Sequence, residues 1–120
     1  NWRIAIASGG FTYFADHLKE TLNLDAAFAN TLEIIDGKLT GKVLGDVVDA
    51  QVKADSLALL SQEYQIPKSQ TVAMGDGAND LVMMAAASFG VAFHAKPIVL
   101  AQADSSINAQ GLDCLLHWLA

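Results

Sequence analysis

Two carboxylates four residues apart, Asp76 and Asp80, stand in the stretch Val72-Ala73-Met74-Gly75-Asp76-Gly77-Ala78-Asn79-Asp80. A short apolar run of strand type ends at Gly75, and an apolar helical pattern continues from Leu81 to Ala87, so both acids belong to the carboxyl end of a strand. In an open parallel sheet the loops at that end form the crevice where ligands bind. With no basic neighbour in the loop, the pair suits a hard divalent cation, and magnesium takes one or two carboxylates together with phosphate and water. The competing reading is an Asp-Gly turn in which Asp80 caps the following helix. Gly75 and Gly77 are expected to allow tight backbone turns there, with positive φ as one means.

Two further groups have the chemistry to meet an anion. Ser8-Gly9-Gly10 follows the apolar run Arg3–Ala7 and precedes a helical pattern from Phe11 to Leu22. A hydroxyl and free amides at a helix start, favoured by the helix dipole, make an anion site, although an ordinary glycine-rich turn has the same composition. Lys53 falls in the first turn of a second helix, where the dipole disfavours a cation. A phosphate or a carboxylate cluster would compensate it; the alternative is a solvated lysine paired with Asp49. His17, His94 and His117 have no zinc-like spacing. His94 leaves a strand end on the crevice side, and a structural role is the expectation for it.

The elements that must position these groups alternate. Strands are expected at Arg3–Ala7, Ala26–Asn30, Thr71–Gly75, about Gly90–Phe93 and near Ser106–Asn108. Helices are expected at Phe11–Leu22, Ala50–Tyr64 capped by Asp49, Leu81–Ala87, Ile98–Ala103 and Leu112–Leu119. The first helix would bury Phe11, Phe14, Ala15, Leu18 and Leu22, and the second Val52, Leu57, Leu60 and Tyr64. Asp36-Gly37 predicts a type I′ hairpin between Thr31–Ile35 and Lys38–Val43, appended to the sheet. Such alternation implies an α/β fold with a doubly wound, Rossmann-like parallel sheet in one domain over residues 1–120, with no second domain.

Thirteen acidic against seven basic residues give a net charge of −6, which argues against a nucleic-acid or anionic-membrane surface. No run approaches the roughly 18 apolar residues of a membrane span. The single cysteine, Cys114, excludes an internal disulfide and fits a reducing compartment, so a cytoplasmic protein is expected. Hydrophobic residues make up 52% before the nine glycines are added, above the usual share, so either both sheet faces are covered or a partner surface is missing.

The serine after a strand, the lysine at a helix start and the GDGAND loop, in that order, resemble motifs two, three and four of the haloacid dehalogenase superfamily. The stretches IASGGFTYF, LTGKVLGDVVDAQVKADSL, VAMGDGANDLVMM and FHAKP are similar, in closer detail, to the C-terminal half of its phosphoserine phosphatase family. The likeness runs from Trp2 to about Leu119. It implies an incomplete superfamily core acting on a small phosphomonoester, O-phosphoserine, with Mg2+ as cofactor. It implies that Ser8, Gly9 and Gly10 line the phosphoryl site, Asn79 hydrogen-bonds the phosphoryl group, and Lys53 neutralises phosphate and nucleophile. Asp76 would hold the magnesium directly and Asp80 would support it. The departure is the DxDxT motif, source of the family's nucleophile: no Asp-x-Asp pair occurs in this sequence, nor does the cap that normally follows it. The partners expected are therefore the N-terminal part of the same protein or, through exposed strand edges, a second copy. Another phosphomonoesterase of the superfamily and a non-catalytic phosphate- or metal-binding module are the alternative functions.

Overall fold

The structure is a computed structural model that describes residues 2–119; Asn1 and Ala120, the ends of the expected 1–120 domain, lie outside the described residues. Contacts divide the chain into two compact units, one up to Ser56 and one from Leu57.

The first unit holds β1 (Ala5–Phe11), α1 (Thr12–Leu22), β2 (Ala26–Ile35) and β3 (Lys38–Leu44), with the strands in the order β1-β2-β3. β1 runs parallel to β2 from Ala5↔Ala26 to Ala7↔Phe28, and the ladder resumes at Phe11↔Asn30. Four steps along β1 are matched by two along β2, so Ser8-Gly9-Gly10 stands out as a bulge within the strand rather than as a turn after it. β2 pairs with β1 through its first half and antiparallel with β3 through its second, from Thr31↔Leu44 to Ile35↔Lys38. The hairpin is thus an appendage that grows from the second half of a sheet strand. At its tip Asp36 and Gly37 have φ of 53° and 76°, the two positive values that a type I′ turn demands.

α1 stops at Asn23, which takes the left-handed conformation while the Leu24 amide donates to the Lys19 carbonyl at 2.9 Å, a Schellman-type end. Of its expected inner face only Ala15 is buried; Phe14, Leu18 and Leu22 are exposed, Phe14 at 65%. The 3–4 spacing located an apolar stripe correctly, but the helix meets its own unit through its smallest apolar residue.

α2 (Ala50–Glu63) runs through the division at Ser56. Asp49 caps it, its Oδ1 accepting from the Val52 amide at 2.9 Å. Its most buried residues are Lys53, Ala54 and Ser56, whereas the expected Val52, Leu57, Leu60 and Tyr64 are half-buried.

The second unit contains β4 (Val72–Gly75), α3 (Leu81–Ala86), β5 (Phe89–Phe93), α4 (Pro97–Gln102) and β6 (Ser105–Ile107). All three strands are parallel, in the order β4-β5-β6. Val91 and Ala92 of the middle strand are fully buried, as expected where both faces are covered. Ala73, Met84, Ala87, Ala92 and Val99 form the core, with Leu57 and Leu81 packed against it. A Cβ at Gly90 would lie 2.9 Å from the Met84 carbonyl oxygen, so the close approach of α3 to β5 requires glycine. Pro97 opens α4 at a position where its missing amide is harmless. Leu112–His117 is a 3-10 helix, not the α-helix expected to Leu119. β1 and β4 are outer strands of two separate three-stranded sheets.

The start of β1 is tied down by Asp25, whose carboxylate accepts from the Ile4 amide at 2.8 Å and from Arg3 Nη1 at 3.1 Å. The Ile4 amide first, and the Arg3 guanidinium second, hold its carboxyl below the ordinary value of 3.8. Because the unfolded chain binds this proton more readily, the stabilisation is present above that value and is lost as pH falls through the lowered one. Asp25→Asn is expected to flatten the acid limb of stability, read as urea midpoints from about pH 5 to about pH 2; an unchanged limb would show that the tie carries no stability.

Candidate active site

In the first unit the anion-type segment is held by a residue that the composition of its strand disguised. Asn30, buried in mid-β2, donates from Nδ2 to the Gly9 carbonyl at 2.9 Å and accepts at Oδ1 from the Val48 amide at 2.7 Å. Both ends of one amide side chain thus clamp the Ser8–Gly10 bulge and the approach to α2. The signal was available: asparagine is disfavoured in strands, and one in an apolar strand run needs a reason. Ser8 Oγ accepts from the Gly10 amide at 2.9 Å, closing a tight local turn. Phe11, not Ser8, occupies the N-cap position of α1, so the hydroxyl is not spent on capping.

Lys53 is 4% exposed, so the solvated-lysine alternative does not describe it. It has interaction partners, and among the described residues no buried side-chain nitrogen or oxygen lacks a hydrogen bond. A charged group so placed must be compensated, because desolvating an unpaired ammonium is costly.

In the second unit the two aspartates converge through the backbone. Asp76 follows the last residue of β4, and Asp80 ends a 3-10 turn, Ala78–Asp80, before α3. The buried Asp80 does not cap α3; its Oδ2 turns back to accept from the amides of Asp76 at 3.1 Å and Gly77 at 3.2 Å. The Asp76 carbonyl in turn accepts from the Lys96 amide at 3.3 Å. The main chain of Asp76 is therefore held on both sides while its side chain is exposed, without a hydrogen-bond or ion-pair partner among the described residues.

The glycines act by size rather than by φ. Neither Gly75 nor Gly77 has positive φ, and Gly77 is extended at φ −119°, ψ 165°. A Cβ at Gly75 would come within 2.6 Å of Asp80 Cγ and Oδ2, so the returning carboxylate occupies the space a side chain would need. Asn79 is exposed on the same turn.

Asp76 also borders a cavity of about 300 Å³ lined by Met74, Gly75, Phe93, His94 and Leu112. Among the described residues no three carboxylate, imidazole or thiol groups gather into a metal cage. The donor set is instead one solvent-facing carboxylate on a fixed backbone, with a second carboxylate behind it. That arrangement fits magnesium, which keeps several waters and uses few protein ligands.

The model of the haloacid dehalogenase-like hydrolases matches residues 1–85, and the chain belongs to that family. It is 64% identical over 111 residues to the phosphoserine phosphatase of Vibrio cholerae, covering 92% of this chain and 34% of that protein. To the phosphoserine phosphatase of Haemophilus influenzae it is 59% identical over 119 residues, covering 99% and 38%. The unliganded crystal structure of a probable phosphoserine phosphatase from Vibrio cholerae is similar with a TM-score of 0.93 at 62% identity, over 96% of this chain and 36% of that one. A phospho-aspartyl intermediate analogue of phosphoserine phosphatase is similar with a TM-score of 0.89 at 43% identity, over 95% and 55%. The chain thus spans about a third to about a half of the length of these relatives.

The geometry at Gly75 makes a direct prediction. Gly75→Ala is expected to displace the Asp80 carboxylate and destabilise the second unit by about 1–3 kcal/mol, the usual cost of overpacking. Denaturant unfolding measures it; a loss below a few tenths would mean that Asp80 is free to move aside.

Proposed function

We propose that this chain supplies the C-terminal part of the catalytic domain of a magnesium-dependent phosphoserine phosphatase. The reaction is hydrolysis of O-phospho-L-serine to L-serine and phosphate, a step of serine biosynthesis, through an aspartyl-phosphate intermediate. The observation that carries the reading is the exposed Asp76 carboxylate at the end of β4, its backbone clamped by Asp80 and Lys96. The identities of 64% and 59% to phosphoserine phosphatases support the substrate class.

Phosphoryl transfer asks a protein mainly for positioning and for neutralisation of charge. Ser8 and the amides of Gly9 and Gly10 would bind the phosphoryl oxygens, with Asn30 fixing the bulge that presents them. Asn79 would donate a hydrogen bond to the same group. Lys53 would supply positive charge toward phosphate and nucleophile. Asp76 would hold magnesium, with Asp80 behind it, and the ion when bound would neutralise the phosphoryl charge. The nucleophilic aspartate belongs to a DxDxT segment that is not among these 120 residues.

Two expectations follow for the bench. The 120-residue chain alone should release no phosphate from O-phosphoserine and should bind magnesium more weakly than micromolar in titration calorimetry; tight binding or turnover would contradict the division of roles. In a full-length protein carrying the DxDxT segment, Asp76→Asn should lower kcat/KM for O-phosphoserine by on the order of 10²–10³, the scale of losing a principal electrostatic group. An effect under about tenfold would remove Asp76 from the site.

A further inference from the structure

His94 is the one residue at the rim of the Asp76 cavity whose backbone sits in a region that side chains rarely adopt, with φ of 45°. It follows directly on β5, and three contacts hold it there. Its amide donates to the Ile107 carbonyl at 2.8 Å, at the end of the neighbouring β6. Its Nε2 lies 2.7 Å from the Gln110 carbonyl oxygen, which can only accept, so Nε2 carries the proton and donates. Its ring leans on Phe93 with centroids 4.4 Å apart.

The Gln110 contact fixes the entry to the C-terminal 3-10 helix. At the far end of that helix, Trp118 meets Phe89 edge-to-face with ring centroids 5.8 Å apart. Phe89 and Phe93 are the first and last residues of β5. The segment from Gln110 to Trp118 is therefore anchored at both ends of one strand and runs opposite to it. A six-residue 3-10 helix is about 12 Å long, close to the roughly 13 Å that separates the ends of a five-residue strand. Leu112, just beyond the His94 anchor, lines the cavity on which Asp76 opens.

We infer that His94 is a positioning residue: by holding the Gln110 carbonyl it docks the C-terminal strap against β5 and so sets Leu112 as the wall of the cavity beside Asp76. The strained backbone is the means, because only the left-handed turn after β5 aims the imidazole at the strap while its amide stays on β6. The link to substrate binding rests on the phosphatase reading; the docking of the strap does not.

Cys114, the single cysteine, lies half-buried within the strap and reports its docking. His94→Gly keeps the backbone conformation and removes the ring, and His94→Asn, which tolerates the same conformation, guards against loss of fold. In the full-length protein both variants are expected to speed labelling of Cys114 by a thiol reagent about five- to tenfold, the weight of one hydrogen bond. Both are also expected to raise KM for O-phosphoserine about fivefold with kcat changed less than about twofold, the signature of a displaced binding wall. Unchanged labelling in both variants overturns the strap, and faster labelling with unchanged KM overturns its role at the cavity. A wild-type protein that releases no phosphate from any phosphomonoester overturns the phosphatase reading instead, and the labelling rate then decides the strap alone.

Discussion

The second unit depends on one carboxylate turning backwards. Asp80 lies one turn beyond Asp76 in sequence, yet its Oδ2 returns to the amides of Asp76 and Gly77, and this return gives the end of β4 its shape. Hydrogen bonds to an ionised acceptor are stronger than neutral ones, on the order of 1.5–3 kcal/mol each in net terms. The same contact explains the missing side chain at Gly75, whose space the carboxylate fills. It also explains why α3 begins without a side-chain cap from Asp80. A residue that reads as a helix cap in sequence serves the strand end instead.

Much of this was legible because apolar runs and turn chemistry act locally. The strand ending at Gly75, the Asp49 cap and the Asp36-Gly37 turn all follow from neighbours within a few residues. What escaped depended on distant partners. The bulge at Ser8–Gly10 exists only relative to the register of β2, which no local pattern of β1 encodes. The exposure of Phe14, Leu18 and Leu22 escaped because periodicity identifies a stripe and not what lies against it. The C-terminal segment has the apolar spacing of an α-helix, but it is tied at Gln110 and Trp118 to the two ends of a short strand, and the tighter 3-10 form spans that distance.

The candidate site divides in the same way. Asp76, Asp80, Asn79, Ser8, Gly9, Gly10 and Lys53 were nameable because their residue types carry chemistry and their order resembles a family pattern. Asn30 was not, since it acts on main-chain groups of other segments; His94 was read as a crevice-side residue with a structural role, but its partner, the Gln110 carbonyl, was not legible. Lys53 shows the limit most clearly. The helix dipole flagged its position as unfavourable, but only the fold reveals that it is buried and not a solvated surface charge.

Asn30 and Asp80 reveal a common design in two units that share no strand. Each is a buried polar side chain that hydrogen-bonds the backbone at the end or bulge of an outer strand, β1 in one case and β4 in the other. A buried polar group left unpaired would cost about 1–3 kcal/mol, so each clamp has a strong preference for one loop conformation. Of the groups suited to meet a ligand, the Asp76 carboxylate is then left without a partner in the fold among the described residues, while the Ser8 hydroxyl keeps only a local bond from the Gly10 amide. A substitution at Asp76 can therefore change binding with little effect on folding, whereas one at Asp80 or Asn30 must change both, because the loop that presents the ligand-facing group is what the buried residue holds.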